Sequence, residues 1–179
     1  EFKFVAPPAA KEITTFFDAS KQAARAGHSA EAEAEEHALL KKEAPAIALN
    51  TLDGGKFNLA DLKGKNVVVL DFWATWCPPC VEELPMIDAF WRQHAGKGLQ
   101  VLGLAIDQPS AVRRFLERQA LGFPVALAGL GGTELSRALG NATGALPFTV
   151  FLAADGRIYS KKLGQLSPED LRAWAAAAA

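Results

Sequence analysis

Cys77 and Cys80 are the only cysteines in 179 residues, and they stand in the segment DFWATWCPPCVEELP, residues 71–85. Sulfurs three positions apart share a helix face and can bridge. Such a pair has three uses: structural staple, metal clip or reacting dithiol. As a staple it is weak, because the closed loop of four residues barely constrains the unfolded chain. As a zinc clip it lacks partners. Zinc commonly takes four ligands, whereas this chain has no second cysteine pair and its three histidines, His28, His37 and His94, are scattered. A two-coordinate copper(I) site stays open. As a dithiol the pair is well placed, where an apolar run gives way to a helical one. A helix start has unpaired N–H groups and a positive dipole end, which favour a thiolate. Cys77, at the start, takes most of that benefit, while Cys80, one turn in, is expected to be more buried and less acidic. This asymmetry assigns attack on a disulfide to Cys77 and resolution of the mixed disulfide to Cys80.

The spacer residues bear on the same chemistry. Pro78 and Pro79 occupy positions whose N–H groups would otherwise serve the Cys77 thiolate. Proline removes the donor while fixing φ for a helix start. The amides of Cys80 and Val81 are what remain, so the expectation is a Cys77 thiol only modestly acidified. A poorly stabilised thiolate means a less stable reduced form and a pair biased toward reductant behaviour.

The elements that must position this pair follow from hydrophobic patterning. NVVVLDFWA (66–74) is a near-continuous apolar run, as expected of a strand buried on both faces. A helix is predicted over 78–95 and a second buried strand over 98–107. Residues 109–122 read as a helix opened by Pro109-Ser110 and closed by Gly122. FPVAL reads as a short edge strand and GGTELSRALG as a short helix. AIALNTLDGGKFNL predicts a hairpin around Asp53-Gly54-Gly55, and PFTVFLAADGRIYSKKLG a second across Asp155-Gly156. Ser167 is a candidate N-cap with Pro168 at the first helical position. Strands alternating with helices imply an α/β domain with a mixed sheet covered on both faces.

Residues 1–43 differ in composition and form a separate N-terminal region, a helical arm or tether, ahead of a domain over 44–179. Within it KEITTFFDASKQAARAG (11–27) has apolar residues at helical spacings, and a second helix is expected from Ser29 through Glu43. Half the residues are hydrophobic and 22% are charged, enough for a real core. The formal net charge of −1 gives no electrostatic case for nucleic acid or for an anionic membrane surface. No phosphate-binding glycine loop is present. The opening EFKFVAPPAAKE lacks a basic start followed by an apolar run, so an exported or tethered protein is expected to have lost its leader here.

The run VVLDFWATWCPPCVEELP resembles the active-site segment of the thioredoxin superfamily. Over about residues 44–174 the chain looks most similar to the membrane-tethered, extracytoplasmic thiol-disulfide reductases of the TlpA/ResA type. The residues that carry this are the APAIALNTLDGGKFNLADLKGK lead-in, WCPPC followed by EELP, a helix and strand inserted around 108–127, and GALPFTVFL. The resemblance implies a thioredoxin-like fold with an N-terminal β-hairpin. It implies a redox disulfide between Cys77 and Cys80, no dissociable cofactor and no metal. Pro147 matches the family's cis-proline, which presents the backbone of Leu146 to an extended substrate segment. Asp71 and Glu83 match two buried acids; burial raises their proton affinity, so either can take the Cys80 proton. Carrying both is a departure, since many tethered members have an uncharged residue at the Asp71 position. Trp76 covers the disulfide and, with Pro78 and Pro79, offers a rim to partners, while Pro85 kinks the helix and Glu82 is solvated. The implied partners are proteins with disulfides or thiols and a membrane electron donor. The implied location is periplasmic or otherwise extracytoplasmic, with cytochrome c maturation or copper-site assembly as the setting. A copper metallochaperone or interaction module, and a thiol peroxidase of peroxiredoxin type, stand as alternatives.

Overall fold

The computed structural model describes residues 40–178. In chain order these form β1 (Ala48–Asn50), β2 (Lys56–Asn58), α1 (Leu59–Leu62), β3 (Val67–Trp73), α2 (Pro78–His94), β4 (Leu99–Ala105), α3 (Pro109–Arg118), β5 (Val125–Leu127), α4 (Gly129–Ala138), β6 (Phe148–Leu152), β7 (Ile158–Leu163) and α5 (Pro168–Ala178). Five strands make one mixed sheet in the order β5-β4-β3-β6-β7, with β3, β4 and β5 parallel and β6 and β7 antiparallel additions. The predicted first hairpin is present as β1 and β2, a small separate sheet. The fold is thioredoxin-like.

β3 is central, and all seven of its residues are buried. Its side chains alternate between two cores, as the period of a strand requires. Val67, Val69 and Trp73 enter one core with Leu84, Ile87 and Phe90 of α2, Phe115 of α3, and Leu171 and Trp174 of α5. Val68, Leu70 and Phe72 enter the other with Ile47, Phe57 and Leu59 from the hairpin side and Leu139 beyond α4. Both cysteines lie in the first core.

Ser167 caps α5 as its sequence predicts. The Asp170 N–H donates to Ser167 Oγ at 3.2 Å, and the Ser167 N–H and hydroxyl both donate to Asp170 Oδ2 at 2.7 Å. This is a capping box with aspartate in the third position.

Two expectations need correction. α3 ends at Arg118, four residues short of Gly122. Gly122 instead donates its N–H to Asp88 Oδ1 at 2.6 Å, and an added Cβ would lie 2.6 Å from Trp91 Cζ3. Its missing side chain is needed for packing on α2, not for ending a helix. The helix expected to run through Glu43 is also absent at its described end. Lys41 has φ 67 and donates its N–H to the Ile158 carbonyl at 2.7 Å, and the Ala44 N–H goes to Gly156. Tertiary pairing at the start of β7 thus overrides helical propensity over residues 41–44. The expected arm upstream, including the helix over 11–27, lies outside the described residues.

At the opposite margin Thr51 bridges Ala126 and the Leu52 N–H donates to Val125 at 2.8 Å. The hairpin is thereby stitched to β5. Among the described residues no helix is long and apolar enough to cross a membrane.

Candidate active site

Cys77 is the N-cap of α2, and Pro78 and Pro79 are its first helical residues. Cys77 and Cys80 are joined as a disulfide with Cα atoms 5.3 Å apart. Cys77 is 4% exposed and Cys80 fully buried, the asymmetry the spacing predicts. Of the two amides left after the prolines, Val81 donates to the Cys77 carbonyl at 3.1 Å. That corrects the expectation that it remains for the sulfur; only the Cys80 amide is left for that purpose. Trp76 stands 66% exposed beside the pair, Pro78 is exposed and Pro79 half-buried. Glu82 is exposed, as expected, and Pro85 lies inside α2, where it removes one helical hydrogen bond.

The loop leading into Cys77 is pinned by a residue that sequence reasoning passed over. Asp107, after β4, accepts the Thr75 N–H at 3.0 Å and the Thr75 hydroxyl at 2.5 Å through Oδ2. Its other oxygen accepts the Gln108 N–H at 2.6 Å. An aspartate at a strand end is too common a sequence feature to announce a contact 32 residues away.

The Leu146–Pro147 bond is cis. Leu146 is half-buried and packs on both cores, including the one that holds the cysteines, and the buried Pro147 accepts the Gly164 N–H at 2.8 Å.

Asp71 and Glu83 are both buried, as predicted, at 0% and 1% exposure. The Thr149 hydroxyl donates to Asp71 Oδ1 at 3.4 Å, and Asp71 Oδ2 has no partner. The Leu166 N–H donates to Glu83 Oε2 at 2.6 Å, and Glu83 Oε1 has none. Loss of water lifts the Asp71 carboxyl well above its ordinary range, and the nearby Glu83 charge lifts it further. Loss of water also raises Glu83 to about 7, against the pull of the Leu166 amide and the Lys162 ammonium. Two interacting acids of this kind titrate as a unit. Glu83 lies one turn beyond Cys80 on the buried face of α2. The site therefore holds a carboxyl raised toward neutral pH one helical turn from the buried sulfur of Cys80.

His94 is occupied at the far end of α2, with Nδ1 2.8 Å from the Phe90 carbonyl, while His28 and His37 lie outside the described residues. Among the described residues no group of three or more His, Cys, Asp or Glu is arranged to hold a metal.

Chemistry of this kind belongs to the thiol-disulfide oxidoreductases of thioredoxin-like fold, and this chain is one of them. Its residues 40–177 match the Redoxin family, to which it belongs. It is 35% identical over 134 residues to the thiol-disulfide oxidoreductase ResA of Bacillus cereus, covering 74% of this chain and 75% of that protein. A thiol:disulfide interchange protein of the thioredoxin family from Chlorobium tepidum superposes with a TM-score of 0.67 at 29% identity, over 77% of this chain and 96% of that one. A secreted Mycobacterium tuberculosis disulfide oxidoreductase, described as homologous to DsbE, superposes with a TM-score of 0.59 at 25% identity, over 73% of this chain and 95% of that one.

Proposed function

We propose that this protein reduces disulfides of other proteins outside the cytoplasm. The observation that carries the reading is the pair of buried carboxylates, each with an unpaired oxygen, with Glu83 one turn from Cys80 on the buried face of α2. The Cys77 thiolate attacks a substrate disulfide, and one substrate sulfur leaves as a thiolate. Cys80 then gives its proton to the ionised Glu83, and the new thiolate attacks Cys77. The bond between Cys77 and the substrate breaks, the Cys77–Cys80 disulfide forms, and the second substrate sulfur leaves. Two electrons have passed from the dithiol to the substrate, as in any thiol-disulfide exchange. Asp71, whose carboxyl burial holds well above its ordinary range, keeps its proton through the cycle.

Trp76, Pro78 and Pro79 form the apolar rim that meets the substrate, and the backbone of Leu146 before cis Pro147 receives its extended segment as an added strand. The relative described as secreted supports an extracytoplasmic location. There the substrates would be the haem-binding cysteines of apocytochromes c or those of a copper-site assembly protein. A membrane donor would restore the dithiol, with residues 1–43 as arm or tether to the domain over 44–179.

The test is to mix the reduced protein with insulin and follow disulfide reduction by precipitation. Wild type reduces insulin, Cys77→Ser abolishes turnover, and Cys80→Ser accumulates the mixed disulfide. Tight copper(I) uptake without insulin reduction, or rapid turnover by Cys80→Ser, overturns the reading.

A further inference from the structure

One transverse row of the sheet carries a buried acid, a hydroxyl and an ammonium on three successive strands. Gly103 of β4 pairs with Asp71 of β3, Asp71 with Thr149 of β6, and Thr149 with Lys162 of β7. Residues paired across a sheet share a face, so this row lies against the buried side of α2 that carries Glu83. Gly103 adds no side chain, and its place is filled by Phe123 and the Trp73 ring, which would meet an added Cβ at 3.0 and 3.1 Å. The row thus runs one way only, from the buried Asp71 through the Thr149 hydroxyl to Lys162 on the edge strand. Lys162 is one-third exposed, at 35%, and its ammonium is 2.6 Å from Asp170 Oδ2. Asp170 in turn is fixed by the Ser167 capping bonds, so the ammonium is tethered to the start of α5.

We propose that Lys162, held by Asp170, is the positioning cation of the resolving step, keeping Glu83 ionised until it takes the Cys80 proton. This rests on the proposed dithiol chemistry and adds a residue to it. The groups around Glu83 are Asp71 from β3, Cys80 on its own helix, the Leu166 amide that donates to it, and, linked through the next residue Ser167, the Asp170 carboxylate with the Lys162 ammonium from β7. Lys162 is the one cation among them. A neighbouring positive charge favours the ionised carboxylate and works against the loss of water that burial imposes on it. After Cys80 has given up its proton, Glu83 is neutral and the cation's hold on it vanishes. The proton then leaves to water at the β7 edge before the next cycle.

The experiment follows reduction of a disulfide-bridged peptide by the reduced protein in stopped flow, at saturating peptide, from pH 5 to 9, for wild type, Lys162→Met and Lys162→Arg. The carboxyl titration of Glu83 in the oxidised proteins is read alongside by NMR, which needs no substrate. Removing the cation makes the acid weaker, so in Lys162→Met the resolution inflection and the Glu83 titration both move up by about one pH unit. Below the inflection the rate falls about tenfold. Lys162→Arg keeps the wild-type profile. An unmoved Lys162→Met profile with active wild type, an unmoved Glu83 titration, or failure of arginine to rescue overturns the role of Lys162. Wild type inert toward the peptide overturns the reductase reading itself, whatever the Glu83 titration shows.

Discussion

Two buried polar pairs in this molecule are treated in opposite ways. Ser136 and Asn141 close the end of α4, each 1% exposed. The Asn141 amide donates to Ser136 Oγ and to the Ala145 carbonyl, both at 2.8 Å, and Asn141 Oδ1 accepts the Thr143 hydroxyl at 3.3 Å. Asp71 and Glu83 are as deeply buried, yet each keeps one oxygen without a partner. A buried polar atom left unpaired costs about 1–3 kcal/mol. The first pair avoids that cost and shapes a turn. The second bears it, and what it retains is capacity to accept a proton. Trp73, Trp91 and Gln119 also bury an unpaired nitrogen, so what sets the two acids apart is that an orphaned carboxylate oxygen can take a proton.

The comparison breaks most decisively through Glu83→Gln. This variant keeps the shape and a partner for Leu166 but cannot take a proton, so resolution slows by about 10²-fold, read as mixed-disulfide lifetime in quenched-flow samples. A lifetime equal to wild type would make the carboxylate pair as structural as Ser136 and Asn141. In the same variant stability moves the other way. Glu83 titrates near 7 folded, against an ordinary 4.5, so between those values the folded protein binds more protons than the unfolded one. Wild-type stability is therefore full below pH 4.5 and falls as pH rises through about 7. Urea denaturation should find Glu83→Gln more stable than wild type at pH 8 by about 1–3 kcal/mol, with the advantage gone at pH 4.

Asn141→Leu probes the other side. It strips the amide from the turn and costs about 1–3 kcal/mol at every pH, while the pH profile of peptide reduction stays put. A displaced profile would show the two regions are not independent. The smallest effect is expected at the helix start. Pro79→His restores one amide to the neighbourhood of Cys77 and raises the reduction potential by roughly 30 mV, measured against glutathione. An unchanged or lower potential counts against the account of the two prolines.

Much of this site was legible before any coordinates. The spacing of Cys77 and Cys80 carries their placement, the resemblance to thioredoxin-superfamily segments points to Asp71, Glu83 and Pro147, and β3 announces its burial by a near-continuous apolar run. What escaped depends on register and on contacts distant in sequence. Lys162 and Thr149 look like ordinary strand residues until β6 and β7 are aligned with β3. Asp107 resembles any loop acid until it meets Thr75. Gly122 and residues 40–43 were misread for a related reason, because local helix signals there are outvoted by α2 and β7.

One feature of the fold bears on behaviour in a crowded solution. The chain between residues 41 and 52 reaches both margins of the five-stranded sheet, pairing with the start of β7 at one side and with β5 at the other. An open sheet margin is a template for a neighbouring copy. By occupying part of each, this short stretch leaves less of either margin open to pairing with a neighbouring copy.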